Sequence, residues 1–325
     1  MRILLVKTSS LGDVIHNLPV ASDLRRHFPQ ASIDWCVEES FAAIPRLHPA
    51  VDRIIPVAVR RWRKHLWQGA TWREMAAFQR AIRERTYDAI LDTQGLTKSA
   101  LLASRAHGPL AGYAADSARE PLAARFYDRH FSVDKNLHAV LRNRLLGAAA
   151  FGYGVDNAVD YGITAPALAL DWLSGTHKNV PYVVLLTATS RDDKLWPESH
   201  WIALGEQLAQ LGLCAVLPAG NPVERERAAR LAAALPNALA APPMRIDALA
   251  TLLAGARAVV GVDTGLTHLA VALKVPTVAL YTATEPGLTG VYGTGFHRNL
   301  GGKGQCPTAA AVLEEIAQAM KPESL

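Results

Sequence analysis

A short apolar run followed by an amphipathic helical stretch recurs along these 325 residues, and an alternation of that kind leaves few architectures open. Apolar runs at 3–6, 33–37, 53–57, 89–91 and 110–112 predict strands in the first half. Runs at 182–186, 214–217, 258–262 and 277–281 do so in the second. Helical periodicity at 16–27, 197–211 and 246–254 follows several of them. Such strands predict an α/β fold with parallel sheets covered on both faces. One core usually stops growing at roughly 250–300 residues, so two units are expected. The break is placed between 151 and 180, where Gly and Pro are scattered and periodicity is weak. This gives a first domain over 1–160, a second over 161–308, and a C-terminal helical segment in 309–325 whose packing the pattern leaves open. Two Rossmann-like units facing each other would put a central cleft at the carboxyl ends of both sheets, where ligands bind in such folds.

Other classes are disfavoured. Three widely spaced cysteines, Cys36, Cys214 and Cys306, form no C-x-x-C pair, which speaks against a disulfide framework or zinc site and for a reducing compartment. The opening apolar run ends at Lys7, too short for a secretory signal. No run approaches the ~18 apolar residues of a membrane span, since the alanine-rich stretch 231–244 is broken by Pro236, Asn237, Pro242 and Pro243. Charge is uneven. Residues 1–160 hold 22 Lys and Arg against 16 Asp and Glu, while 161–325 hold 12 against 13. A basic first half suits an anionic partner or a membrane surface.

Three strand-to-helix turns carry candidate chemistry. Lys7-Thr-Ser-Ser-Leu-Gly-Asp13 sets a cation, three hydroxyls including that of Ser10, and a carboxylate at a helix start, where backbone N–H groups can hold an anion. Asp13 reads equally as a helix cap or as a carboxylate that takes a proton from a hydroxyl. In Thr187-Ala-Thr-Ser-Arg-Asp-Asp-Lys194, the hydroxyls of Thr189 and Ser190 and the ammonium of Lys194 suit a diphosphate. Asp192 and Asp193 beside them would suit a metal only with further spaced oxygen ligands, and no convergent set is visible, so no metal is expected. In Val262-Asp-Thr-Gly-Leu-Thr-His268, a strand ends, Gly265 allows close approach and a helix opens over whatever lies above it. Asp263 is expected as that helix's N-cap. His268 falls one turn inside, as a structural or a functional histidine.

The densest basic run is Arg60-Arg-Trp-Arg-Lys64, with Trp62, Trp67 and Trp72 following at a spacing that makes no helical stripe. It reads as a solvated loop or as a site for phosphate heads beside acyl chains. No G-x-G-x-x-G opens the first helix, and Gly301-Gly-Lys-Gly304 lacks both the leading glycine and the Ser/Thr of a P-loop, so it is expected as a flexible loop.

Taken in order, Val6-Lys-Thr-Ser-Ser-Leu-Gly-Asp-Val-Ile-His16, Arg60-Arg-Trp-Arg-Lys64, Ala118-Arg-Glu-Pro-Leu122, Thr189-Ser-Arg-Asp-Asp-Lys194, Trp196-Pro-Glu198 and Val262-Asp-Thr-Gly-Leu-Thr-His268 resemble the bacterial lipopolysaccharide heptosyltransferases of the first type, within the wider ADP-heptose transferases. The resemblance spans nearly the whole chain. It implies a GT-B fold with an acceptor domain first and a nucleotide domain second. It implies inverting, metal-independent transfer of L-glycero-D-manno-heptose from ADP-heptose to Kdo2-lipid A, at the cytoplasmic face of the inner membrane and without a cofactor. It casts Asp13 as general base. It casts Thr189, Ser190, Lys194, Glu224, Met244, Asp263, Thr264, Gly265 and His268 as donor-site residues. Lys7, Ser10, Arg60, Arg61, Arg63, Lys64 and Arg119 become acceptor contacts. Ser190 stands where relatives carry Thr, and the hydroxyl is kept.

Rival readings are a heptosyltransferase of the second type, a sugar-nucleotide epimerase or dehydrogenase, and a non-catalytic protein that binds anionic lipid or nucleic acid. A panel of acceptors separates the first, bound nicotinamide the second, and donor turnover the third.

Overall fold

Ile3, Leu4, Leu5 and Val6 are all fully buried, and a strand with no exposed face must lie inside a sheet covered on both sides. The computed structural model, which describes residues 1–176 and 180–320, places them there. The chain divides into two compact units, Met1–Ile163 and Thr164–Leu325.

The first unit holds β1 (Arg2–Val6), β2 (Ser32–Glu38), β3 (Arg53–Val57), β4 (Ala89–Asp92), β5 (Leu110–Tyr113) and β6 (Arg129–Phe131). They form one parallel sheet in the order β3-β2-β1-β4-β5-β6. The second unit repeats the plan with β7 (Tyr182–Leu186), β8 (Cys214–Leu217), β9 (Ala238–Ala240), β10 (Ala258–Val262), β11 (Thr277–Tyr281) and β12 (His297–Gly301), ordered β12-β11-β10-β7-β8-β9. Both orders are the doubly wound one, in which direction reverses beside the first strand.

β6, β9 and β12 are not among the expected strands; β6 and β12 lack an apolar run, and β9 is only three residues long. β6 and β12 are sheet edges with largely exposed side chains, and β9 is an edge of three residues. The helix expected over 16–27 is Leu18–His27, and a separate short helix, Leu11–Ile15, precedes it. Pro19 supplies no N–H for a continuous ladder and sits instead in the first turn of the second helix. Pro197 lies one residue outside its helix, as the N-cap of Glu198–Gln210. The glycine run is not a flexible loop. Gly301 ends β12 with φ +83°, Gly302 bridges Gln305, and the Lys303 N–H donates to Glu285 Oε1 at 2.9 Å.

The C-terminal helix Ala309–Ala319 sends Val312 and Ile316, both fully buried, into the core of the second unit beside Leu204, Leu208 and Leu280. The Trp196 indole, also in that core, donates to Pro307 O at 2.8 Å and fixes the approach to the helix.

In the first unit, helices Leu18–His27 and Ala139–Phe151 are joined by a buried ion pair. Arg144 Nε donates to Asp23 Oδ2 at 2.7 Å and Nη2 to Oδ1 at 3.0 Å. Removing one partner strands a buried charge, which costs about 3–5 kcal/mol. Asp23→Ala is therefore expected to lower the unfolding free energy by that amount in urea titration of the full chain. An unchanged midpoint would mean that Asp156, which also accepts from Arg144 at 3.0 Å, suffices alone.

Candidate active site

In the first unit the reversal of strand order falls between β1 and β4, so the segments leaving their carboxyl ends diverge and open a crevice. Lys7–Ser10 leaves β1 and Thr93–Gly95 leaves β4. One amide stitches the two together. Gln94 Oε1 accepts from the N–H groups of Thr8 at 2.9 Å and Ser9 at 3.2 Å, and its Nε2 donates to Ser9 O at 2.6 Å. Beneath them Asp92 is fully buried, bonded by Ser99 Oγ, Tyr127 Oη and the Gln94 N–H. Burial pushes its carboxyl above the usual value, against the pull of those bonds and of Lys7.

Lys7 is buried. Its Nζ donates to Thr93 O at 2.8 Å and meets Asn143 Oδ1 at 3.5 Å. Loss of water lowers its pKa to about 8, although Asp13 and Asp92 favour the charged form.

Asp13 is the third residue of the Leu11–Ile15 helix, and Ser10 is its N-cap. Of the two readings of this carboxylate, the helix cap is seen directly. Oδ2 accepts from the Ser10 N–H at 2.8 Å and from Ser10 Oγ at 2.9 Å, closing a capping box. Oδ1 has no hydrogen-bond donor among the described residues. Burial opposes ionisation, but the Lys7 ammonium, the Ser10 N–H and Arg119 together hold the carboxyl below its usual value. Arg119 Nη1 stands 3.8 Å from Oδ2. It is carried there by the segment after β5, which is pinned to the β4 turn where Glu120 N–H donates to Gly95 O and Glu120 Oε2 accepts from Thr97 N–H.

The structure thus brings Lys7, Ser10, Asp13 and Arg119 together. The basic run follows β3 at the same sheet edge. It is not a loop throughout, since Val59–Trp62 makes one helical turn. Its members differ. Arg61 is held by Glu39 and Glu74, with contacts of 2.9 and 2.8 Å. Arg60 lies over the Phe41 ring at 5.4 Å. Arg63 and Lys64 are exposed and make no ion pair among the described residues.

In the second unit the reversal falls between β7 and β10. Helix Gly265–Ala272 opens just past β10, and its N-cap is Thr264, not Asp263 as expected from the sequence. The Asp263 side chain turns instead to Lys194 Nζ at 2.6 Å and Thr284 Oγ1 at 2.8 Å, which neutralise it. Thr264 makes no capping bond, so the first N–H groups of the helix, on Gly265 and Leu266, stay open above the turn. Gly261 lets the helix come this close: a Cβ there would lie 2.3 Å from Thr267 Oγ1, which donates to Val262 O at 2.8 Å. His268 is buried one turn into the helix.

Thr189 Oγ1 spends its single proton on Asp263 O at 2.9 Å and so ties the β7 turn to the β10 turn, while the exposed Ser190 hydroxyl is uncommitted. Asp193 is paired with Arg191. Glu224, past β8, closes a capping box, accepting from the Gly220 N–H at 2.8 Å and from Asn221. Met244, past β9, lines a groove of about 520 Å³ with Trp172, Leu168 and Pro243. Thr284 escaped the sequence reading, as did Thr282, whose Oγ1 donates to Asp193 O at 3.0 Å, and so did Gln94 and Asp92. The only signal for the threonines was a pair of hydroxyls just past the strand 277–281.

Gln94→Leu would leave two buried N–H groups without an acceptor. The expected loss is about 1–3 kcal/mol of stability, read as a lower denaturant midpoint. No change would mean that the Lys7–Ser10 turn holds its shape unaided.

Comparison with known proteins bears on the family and the fold. Residues 75–311 match the model of glycosyltransferase family 9 (heptosyltransferase). Lipopolysaccharide heptosyltransferase 1 of Pseudomonas aeruginosa is 51% identical over 296 residues, covering 90% of this chain and 82% of that protein. The Escherichia coli K12 protein of the same name is 46% identical over 300 residues, covering 90% and 91%. The solved structure of E. coli heptosyltransferase WaaC with ADP superposes with a TM-score of 0.89 at 44% identity, covering 98% of this chain and all of that one.

Proposed function

Because the chain belongs to glycosyltransferase family 9, the heptosyltransferases, we propose that it moves L-glycero-D-manno-heptose from ADP-heptose to the Kdo of Kdo2-lipid A during assembly of the lipopolysaccharide inner core. Its two doubly wound units are those of a GT-B glycosyltransferase. One observation carries the reading. At the β1/β4 reversal stands a carboxylate that neighbouring cations keep ionised, with one oxygen spent on the helix cap and the other open.

In this reading the acceptor belongs to the first unit and ADP-heptose to the second. Asp13 Oδ1 takes the proton of the attacking Kdo hydroxyl. The deprotonated hydroxyl oxygen of the acceptor forms the new bond to the anomeric carbon as the bond to the ADP phosphate breaks, and the single displacement inverts the centre. Lys7, Ser10 and Arg119 orient and neutralise the acceptor's anionic groups beside the base, while Arg60, Arg61, Arg63 and Lys64 attract its phosphates.

Negative charge builds on the leaving diphosphate. Lys194, the open N–H groups at Gly265, and the hydroxyls of Ser190 and Thr264 supply fixed positive potential there, a type of contact worth about 3–4 kcal/mol for one well-placed donor. No metal is required on this account. Thr189 and Asp263 hold the two turns in register, and His268 backs the helix that presents the N–H groups. Glu224 takes the ribose, and the Met244 groove takes the adenine. Lys194 bound to Asp263 is an ammonium already aimed and partly desolvated, so a phosphate entering there gains a donor without ordering it first.

Among the described residues no helix is long and apolar enough to cross a membrane. In this reading the enzyme works as a peripheral protein at the cytoplasmic face of the inner membrane, with its basic half toward anionic lipid.

Mass spectrometry of products from ADP-heptose and Kdo2-lipid A tests the reaction. The expected result is one added heptose, with Asp13→Ala binding ADP normally but turning over ~10²–10⁴-fold more slowly. Normal kcat in that variant refutes the base assignment, and transfer to a heptosylated acceptor in place of Kdo favours the second-type enzyme.

A second expectation concerns pH. Lys7 loses its positive charge as pH rises through about 8, well under the ordinary 10.5 for lysine. The acceptor kcat/KM should therefore fall across that pH, and Lys7→Arg, whose charge persists, should abolish the limb. The same limb in both proteins would remove Lys7 from acceptor binding.

A further inference from the structure

Outside the two strand-end turns, the first unit has a groove of about 380 Å³ that the catalytic reading leaves unused. It runs between the turn after β3, helix Gly69–Arg83 and helix Thr97–Ala103. Trp62, Phe78, Met75 and Leu102 line its interior. Its volume falls in the ~300–1,000 Å³ range of ligand pockets.

Leu66 and Leu101 line it while 47% and 43% exposed, and Trp72, 57% exposed, donates its indole N–H to Leu66 O at 2.8 Å. Apolar side chains that line a groove and stay exposed keep surface in water that an apolar ligand would cover.

The charges around the groove are of one sign. Arg63, Lys98 and Arg105 line it, and none of them makes an ion pair among the described residues. The carboxylate beside Trp62, that of Glu74, is already taken by Arg61 and by the Trp62 indole N–H at 2.8 Å. An apolar slot whose own lining holds three cations and no carboxylate fits an acyl chain attached to an anionic head. Val59 and Trp62 follow β3, and Lys98 and Leu101 lie in the helix after β4, so the slot opens at the carboxyl edge of the sheet that also carries Asp13.

We infer that this groove holds an acyl chain of the phosphorylated glycolipid acceptor, with its phosphates drawn to Arg63, Lys98 and Arg105. The inference rests on the acceptor proposed above and adds the part of it that is read apart from the sugar. The groove would raise affinity for acylated acceptor without touching the reacting atoms, an effect on KM and not on kcat.

The test compares Kdo2-lipid A with its fully deacylated form as acceptors, for the parent enzyme and for Leu101→Gln and Leu101→Glu. Leu101 is a partly exposed surface residue, and melting curves of the variants check that the fold is kept. The parent is expected to show a lower KM for the acylated acceptor. Both variants are expected to raise that KM roughly threefold to tenfold, to leave kcat unchanged, and to leave kcat/KM on the deacylated acceptor as in the parent. An unchanged KM ratio between the two acceptors in both variants would overturn the inference. So would a loss of cosedimentation with phosphatidylglycerol vesicles while that ratio stays constant, which would give the groove to bulk membrane lipid. Absence of transfer to either acceptor by the parent would instead overturn the function proposed for the enzyme, a separate outcome.

Discussion

Parallel strands expose their carboxyl ends together, and a sheet whose order reverses at its first strand sends neighbouring connections apart at that edge. This one constraint decides where chemistry can sit in both halves of the chain. β1 beside β4 and β7 beside β10 each leave a notch that no crossing segment covers. The polar turns Lys7–Asp13 and Thr187–Lys194 follow the first strand of their units, and the Thr93–Gly95 and Asp263–Gly265 turns follow the fourth. What the two notches hold differs, because the side chains that stitch them differ. Gln94 closes the first notch through its bonds to the Thr8 and Ser9 backbone, so no ion pair is needed to hold the two turns together. The second is closed by Thr189 and by an ion pair, so its charges are already engaged before any ligand arrives.

Each notch sets a lysine beside an aspartate, with opposite consequences. Lys7 is buried and reaches only neutral acceptors, Thr93 O and Asn143 Oδ1, so its charge acts on Asp13 through space. That arrangement favours the ionised Asp13 carboxylate without occupying Oδ1. Lys194 instead contacts Asp263 directly, and Thr284 shares the same oxygen. There the ammonium neutralises the aspartate at hydrogen-bond distance. The same two residue types give a carboxylate with one oxygen left open in one unit and a direct ion pair in the other. Contact distance and burial set the difference.

Much of this was legible before any coordinates. Strands whose every residue is apolar announce a parallel sheet, and Tyr182–Leu186 and Ala258–Val262 are such strands. The motifs at their ends could be read as turns because a strand must stop where Thr187 or Asp263 begins. The edge strands were hidden, because β6 and β12 face solvent and their composition is that of a loop. The N-cap of Gly265–Ala272 was misplaced by one residue for a definite reason. Asp is as good a cap as Thr in isolation, and only the distant Lys194 and Thr284 draw Asp263 away. Partners that lie 69 and 21 residues off leave no trace in local pattern. Gln94 was missed likewise, since a lone glutamine after a strand carries no signal until the opposing backbone is known.

The basic run shows where a charge count stops being informative. Arg60, Arg61, Arg63 and Lys64 look alike in sequence, yet Arg61 is bound by two carboxylates and Arg60 lies on an aromatic face. Electrostatic attraction at long range depends on the sum, which Glu39 and Glu74 partly cancel. Capture at short range depends on the cations left unpaired, Arg63 and Lys64 in the run and Lys98 and Arg105 from elsewhere in the chain. The helical turn Val59–Trp62 makes this division, because it buries Trp62 as an anchor and so turns Arg61 toward the acids and Arg63 toward the groove. A tryptophan that first seemed to mark a membrane contact thus works as the wedge that sorts the charges around it.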